Sequence, residues 1–434
     1  MNYFFRRYYF LIVCLLVALV SCSREPDFIN SANLNAIGAS YVKLCFALGR
    51  YDKDFVDGYF GPDSLKKISL KDTLSLEKIK EYSQILSKSI DSKFSEDKIR
   101  ANHLKSLLLS LTARTDYVSG KKMNFDKESL LIYNCVSPIY SPEYYKNIML
   151  DLEALIPGNG NLTKRWLSFR QQFVIPEKKL DTLFKLAINE CKRRTSKHFK
   201  LPENDAFKIE FVKGQPWGAY NWYKGNAVSL IQINTDVPIT IEKILGYACH
   251  EGYPGHHLYH SISDREFYRK KGWVEFSIIP LFSPKAVISE GLANYGIEVC
   301  FSQTEKLQFE KNVICKIAGI DPSNLDKYNQ ILELRRKLRF IGSTIAKRYL
   351  DGNLKKNFAL DWIKYYEFRS DKEAENSISF IEKYRSYIIT YSVGYELAKE
   401  YFAANHANDA ESKWKLYHQL LYNPTLPYDI EVKK

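Results

Sequence analysis

Between His250 and His257 the chain reads His-Glu-Gly-Tyr-Pro-Gly-His-His, at the end of an apolar helical run. Pro238 and Thr240 open that run, with Thr240 in the N-cap place, and Ile241, Ile244, Leu245 and Ala248 supply its buried stripe. A proline inside a helix removes a backbone donor and clashes with the preceding turn, while glycine tolerates the resulting bend. Any fold open to this sequence must therefore interrupt a buried helix at Pro254-Gly255. The interruption lies among His250, His256, His257 and His260, four of the eight histidines in the chain.

A histidine pair on one helix face, with a glutamate after the first, is the pattern of a catalytic zinc helix, H-E-x-x-H. Residues i and i+4 share a face, so two imidazoles reach one ion and the glutamate faces a water held there. Here position i+4 from His250 is Pro254, which has no ligand atom. On a straight helix His256 points away, and His257 lies about 10 Å along the axis, against Zn–N bonds of about 2.0–2.1 Å. If Pro254 and Gly255 bulge out of a continuous helix, His256 takes the place of the second histidine. If three residues bulge, His257 takes it. His256 is the expected ligand and His257 the alternate; the histidine left over becomes a supporting or substrate-facing donor. A catalytic zinc keeps three protein ligands and one open position. Glu290 opens Glu290-Gly291-Leu292-Ala293-Asn294-Tyr295, a second helical run far enough downstream to fold back, and is the expected third ligand.

The rest of the chain reads as mainly α. Leu34, Ile37, Tyr41, Leu44 and Leu48 recur at helical steps, as do Leu104, Leu107, Leu108 and Leu111. Late in the chain, Phe380, Ile381, Tyr384, Ile388, Tyr391, Tyr395 and Phe402 trace one further helical face. Alternation within Phe207–Val212, Gly218–Trp222 and Ala227–Asn234, bounded by turn residues, predicts a small antiparallel sheet inserted just before the histidine-bearing helix. No proline- or glycine-rich linker divides residues 34–434, which are read as one domain.

Residues 1–21 read as an export signal: Arg6 and Arg7, then an apolar run from Tyr8 to Val20 too short to span a bilayer. Leu19-Val20-Ser21-Cys22 looks like a bacterial lipobox, which places lipid on Cys22, a tether over 22–33, and the protein in the cell envelope, membrane-anchored outside the cytoplasm. The net charge of +13 suits a surface beside anionic lipid. No lysine/arginine stripe with interleaved aromatics argues for nucleic acid. Cys45, Cys135, Cys191, Cys249, Cys300 and Cys315 are widely spaced and lack a CxxC pair, so buried thiols are expected and a cysteine zinc site is not.

The segment His250–Leu258 resembles the DUF885 family of bacterial proteins, whose hallmark is H-E-x-x-P-G-H-H. Glu290–Tyr295 is similar to that family's E-G-W-A-L-Y element, with Leu292 in place of the tryptophan. Asp57-Gly58-Tyr59-Phe60-Gly61-Pro62 is similar to a D-x-Y-Y-G-P stretch, and Tyr391-Ser392-Val393-Gly394 to a late S-Y-x-x-G element. The stretch Arg339–Lys347 lacks the Asp and His of the family's R-x-x-x-D-x-G-x-H element. The resemblance implies a largely helical, zincin-like lipoprotein acting as a metallopeptidase. In that reading Zn²⁺ sits on His250, His256 and Glu290, and Glu251 is the general base toward a zinc-activated water. Tyr391 is the candidate oxyanion donor, and the strand Ser229–Asn234 is the expected edge against which an extended peptide substrate pairs. Two other functions use the same residues: a zinc hydrolase of non-peptide amides or esters, and a lipid-anchored binding protein with a non-catalytic metal site.

Overall fold

The structure is a computed structural model that describes residues 28–432, apart from residue 72 and residues 94–96. Cys22 and the export signal lie outside the described residues. In chain order, the elements that frame the site are α1 (Leu34–Gly49), β1 (Val56–Tyr59), α2 (Lys98–Val118), α3 (Leu180–Thr195), β2 (Ala206–Val212), β3 (Ala219–Tyr223), β4 (Val228–Asn234), α4 (Ile241–Tyr247), α5 (His256–Ile262), β5 (Ile278–Pro280), α6 (Pro284–Cys300), α7 (Leu325–Arg336), α8 (Asp371–Tyr384) and α9 (Ile389–Ala404). The chain is mainly helical, as the periodicity predicts.

The helical stripes become the core. Ile37, Tyr41, Leu44 and Leu48 of α1 are buried, and Asn33 caps the helix by accepting from the Ala36 amide. Leu104, Leu107, Leu108 and Leu111 of α2 are likewise buried. One contiguous apolar core includes residues from Phe28 to Ile430. Of the stretch read as a tether, residues from Phe28 onward belong to the fold: Phe28 packs on Tyr82, and the Asn30 amide donates to Ser40 Oγ at 2.7 Å. A buried bidentate pair, Arg100 to Glu275 at 2.7 and 3.0 Å, ties α2 to the segment entering β5.

The sheet before α4 forms where the alternation places it, but its topology differs from the expectation. Its order is β2-β4-β3, with β2 parallel to β4 and β3 antiparallel to β4. The segment after β2 crosses to the far side of the sheet, so β4 pairs on both edges and β3 becomes an edge strand. A separate two-stranded ribbon joins β1 to β5.

The late aromatic stripe is not one helix. Arg385 has a positive φ of 52°, and a short tight turn over Arg385–Ile388 separates α8 from α9. The turn lets α9 lie against α6 at very close range. A Cβ on Gly291 of α6 would stand 2.3 Å from the Gly394 carbonyl oxygen, and one on Gly394 would stand 2.4 Å from the Val287 carbonyl oxygen. Only glycine at both places permits this approach.

Gly291→Ala and Gly394→Ala should each destabilise the fold by about 2 kcal/mol or more, as overpacking at a backbone contact does. A urea titration of each variant measures this, and an unchanged midpoint would count against the close apposition of α6 and α9.

Candidate metal centre

The helix that carries His250 ends differently from a helix with an extruded bulge. After α4 the backbone widens into a π-helical turn, Ala248–Gly252, and then stops. The Tyr253 amide reaches back to the Ala248 carbonyl at 3.2 Å, and the Gly255 amide to the Cys249 carbonyl at 2.9 Å. The Tyr253–Pro254 peptide is cis, and α5 starts afresh at His256. Gly255 is required because the chain doubles back on itself: a Cβ there would lie 2.0 Å from the His250 carbonyl oxygen and 2.3 Å from that of Cys249. The expected bulge is thus a break between two helices. Six residues of sequence return His256 to the side of His250, with Nε2 atoms 3.1 Å apart.

Glu290 comes from the middle of α6, not from a helix start. Its Oε2 lies 3.3 Å from His250 Nε2 and its Oε1 3.7 Å from His256 Nε2. The ligand atoms of His250, His256 and Glu290 all fall within 4.8 Å of one another. Ser289, the neighbour of Glu290, contacts His256 Nδ1 at 3.0 Å and so holds Nε2 toward His250 and Glu290. Tyr387, in the turn before α9, donates to Glu290 Oε1 at 3.0 Å. Glu290 Oε2 is buried and makes no hydrogen bond.

These features fit a divalent metal ion. Two imidazole nitrogens 3.1 Å apart and a buried carboxylate converge as one nitrogen/oxygen donor set, the kind that holds zinc. Burial pushes the Glu290 carboxyl up, but His256 and His250 outweigh it and hold the group well below the usual carboxylate range. Glu251 behaves oppositely. Burial raises it to about 7; His250 opposes that shift and Glu290 adds to it. Its Oε1 lies 3.8 Å from His250 Nε2, beside the ligand cluster rather than in it. Two carboxylates one helix apart are therefore separated in basicity by their surroundings, a pattern of functional sites.

His257, the alternate ligand, points elsewhere. Its Nε2 donates to Asp205 Oδ1 at 2.9 Å and its Nδ1 contacts Ser229 Oγ at 2.7 Å, with the ring fully buried. Both ring nitrogens are engaged, so neither is free for a metal. Asp205 also accepts from Tyr253 and pairs with Lys192 Nζ of α3 at 2.6 Å. His257 thus anchors the start of α5 to the sheet and to α3, which fixes where His256 sits.

Tyr391 of α9 lines the cavity around the cluster and also the wider cleft beyond it, with 38% of its surface open to that space. Its ring stacks edge-on against Tyr387 at 5.6 Å. The strand beside the metal residues is β3, not β4. Ala219, Tyr220 and Asn221 line the metal cavity, Asn221 Nδ2 donates to the Glu251 carbonyl at 2.6 Å, and among the described residues β3 pairs on one edge only. The expected edge, Ser229–Asn234, is the central strand. Asp57 of β1 enters the same cavity and accepts from Tyr220, so the Asp57–Pro62 stretch does reach the site.

Sequence reasoning did not find Ser289, Tyr387 or Asp205. Ser289 had an adjacency signal, next to Glu290, and Tyr387 stands four residues before Tyr391. Nothing in the sequence links Asp205 to His257. The wide cysteine spacings also gave no sign that three thiols meet: the sulfurs of Cys191, Cys249 and Cys300 lie within 4.8 Å of one another, all buried and unbridged.

No protein-family model matches the chain and no curated protein matches it in sequence, so the comparisons do not bear out the DUF885 resemblance. Among solved structures, a protein of Colwellia psychrerythraea described as a "putative lipoprotein" is similar at a TM-score of 0.49 and 13% identity, over 82% of this chain and 68% of that one. A Shewanella oneidensis protein described as a "putative lipoprotein of unknown function" is similar at a TM-score of 0.48 and 11% identity, over 96% of this chain and 90% of that one. Both likenesses are too distant to carry a function.

The Asp205 cluster generates a stability prediction. Burial raises its carboxyl, but hydrogen bonds from His257, Lys192 and Tyr253 outweigh this and hold it at about 2. An unfolded aspartate titrates near 3.9, so this stabilisation is complete above about pH 4 and is lost as pH falls toward 2. Asp205→Ala should cost about 3 kcal/mol at neutral pH, because it leaves Lys192 and His257 without their buried acceptor. Denaturant unfolding at pH 7 and pH 3 checks both statements: the gap between native protein and variant should narrow at the lower pH.

Proposed function

We propose that this protein is a zinc-dependent hydrolase of the cell envelope, most simply a peptidase, anchored through lipid on Cys22. The observation that carries the reading is the convergence of the ligand atoms of His250, His256 and Glu290 within 4.8 Å of one another. The envelope location and the anchor rest on the Leu19–Cys22 sequence; among the described residues no helix is long and apolar enough to cross a membrane.

His250 Nε2, His256 Nε2 and Glu290 would hold the ion. Bound there, zinc supplies Lewis-acid polarisation of the scissile carbonyl and lowers the pKa of an attacking water. Glu251 takes the proton of that water. Its carboxyl, raised by burial to about 7, is well matched to accept a proton and hand it on to the leaving amine. Tyr391 faces the shared space of the cavity and the cleft, where its hydroxyl can donate to the oxygen that gains charge. The free edge of β3 runs beside Glu251 and offers backbone groups to an extended peptide, which aligns the scissile bond along the sheet. Tyr387 and Ser289 fix the orientations of Glu290 and His256.

Glu251→Gln should keep the fold and bind zinc stoichiometrically by elemental analysis, while hydrolysis of a mixed peptide library falls by about 10³-fold or more, the scale of losing general-base catalysis together with the charge beside the water. Full turnover in that variant would remove Glu251 from the mechanism. His256→Ala should lose bound zinc, whereas His257→Ala should lose stability and retain zinc per folded molecule. The reverse pattern would move the second imidazole ligand to His257.

A further inference from the structure

The metal cavity opens into a cleft that contains more positive charge than the structure neutralises. A space of about 770 Å³ is lined by His250 and Glu251 and also by Lys243, Arg335 and Arg369. A second lobe of about 560 Å³ shares the same three cations, along with Trp217 and Tyr391. Other basic residues of the cleft have carboxylate partners: Arg339 pairs with Glu396 at 3.1 Å and Lys306 with Glu310 at 2.6 Å.

Of the three central cations, Lys243 and Arg335 have none and Arg369 has only long ones. Among the described residues, neither Lys243 nor Arg335 has a carboxylate ion-pair partner; Lys243 Nζ reaches only the Pro238 carbonyl at 3.3 Å, and Arg335 Nη2 only the Glu367 carbonyl at 3.0 Å. Arg335 is held rigid by its stacking on Trp166 at 4.6 Å and Phe368 at 5.4 Å. Arg369 Nε makes no hydrogen bond, its nearest carboxylate, Glu367 Oε2, lying 3.5 Å away, and Glu373 is 4.0 Å from Arg369 Nη1. Glu242, which also lines this space, is already engaged by Thr240 and Tyr328. Burial lowers Lys243 to about 8; Glu242 opposes that shift, while Arg369 and Arg170 deepen it. Burial and Arg369 lower Arg335 to about 10. Crowded, partly desolvated cations of this kind bind an anion strongly, because its arrival satisfies donors already stripped of water.

We propose that Lys243, Arg335 and Arg369 form an anion subsite that selects peptides carrying a carboxylate about three residues from the bond to be cut. This deepens the hydrolase reading of the same cleft and rests on it. The spacing follows from the fold. Lys243, Tyr247 and Glu251 succeed one another along α4 and its π-helical turn, all lining the cleft. Eight residues of helix advance about 12 Å, and an extended peptide covers that distance in three to four residues at about 3.4 Å each. A guanidinium pair and an ammonium suit a carboxylate, whether it is the end of the peptide chain or an aspartate or glutamate side chain.

The test uses the Glu251→Gln protein loaded with zinc, so that binding is read without turnover. A peptide with a free C-terminal carboxylate, its C-terminal amide, and the amide with a glutamate or glutamine three residues from the cleavage position are titrated by calorimetry. One or both acidic members should bind about tenfold or more tighter than their neutral counterparts, as a charge-assisted contact does; which of them does so identifies the source of the carboxylate. Lys243→Gln and Arg369→Gln, whose side-chain ends are half-buried and remove no aromatic stacking, should each shrink that preference several-fold, and together erase it. Equal binding of acidic and neutral peptides, survival of the preference in the double variant, or tighter binding of inorganic phosphate than of any acidic peptide would overturn the proposal. Zinc content and cleavage of neutral peptides by the unmutated protein report separately on the hydrolase reading, so the two can fail independently.

Discussion

The site depends on one backbone reversal. Between Glu251 and His256 the chain leaves a π-helical turn, folds back so closely that Gly255 touches two carbonyl oxygens, and begins a new helix. A straight helix would send His256 about 100° per residue around the axis and away from His250. The reversal instead brings two imidazole nitrogens face to face, while the amides of Tyr253 and Gly255 find acceptors in the turn they leave. Everything else around the centre secures that turn: Asn221 from the sheet holds the Glu251 carbonyl, Tyr417 donates to the Pro254 carbonyl, and Asp205 receives His257 and Tyr253.

The third contribution comes from a different close approach. Gly291 and Gly394 let α6 and α9 nearly touch, so that Glu290 and the tyrosines 387 and 391 meet on one side of the imidazoles. Larger residues would hold the helices apart and separate the carboxylate from Tyr387. The same geometry makes Glu251 and Glu290 unequal. One faces two histidines and stays ionised; the other is buried with less compensation and gains basicity. In the proposed reaction, a carboxylate that holds a cation and one that moves a proton need that inequality.

Charge in the cleft follows a similar division. Many surface lysines and arginines of this basic chain find acids, as a solvated surface allows. Lys243 of α4 and Arg335 of α7 do not, although they are half-buried, where leaving a charge uncompensated is most costly. The fold tolerates them because Trp166 and Phe368 stack on Arg335 and backbone carbonyls accept from Lys243 and Arg335.

The sequence by itself determined the helical architecture, the place of the small sheet, and the fact that a helix must fail at Pro254-Gly255. Those features are local: hydrophobic period, turn residues and proline sterics act over a few residues and are written in them. It also singled out His250, Glu251, His256, Glu290 and Tyr391, which the structure gathers at one cleft. Tertiary structure decided how the helix fails, as a break rather than a bulge, because the fold-back is stabilised by contacts from the sheet and from α3 that no local pattern encodes. It decided that His257 turns to Asp205, fifty-two residues earlier in the chain, and that β3 rather than β4 is the free edge, since strand order depends on a crossover and not on alternation. It also decided that Ser289 and Tyr387 contact His256 and Glu290 and that three cations share one lobe. Each of these is a pairing between distant segments, fixed by which surfaces can be buried together, and such pairings leave no trace in the spacing of a single sequence.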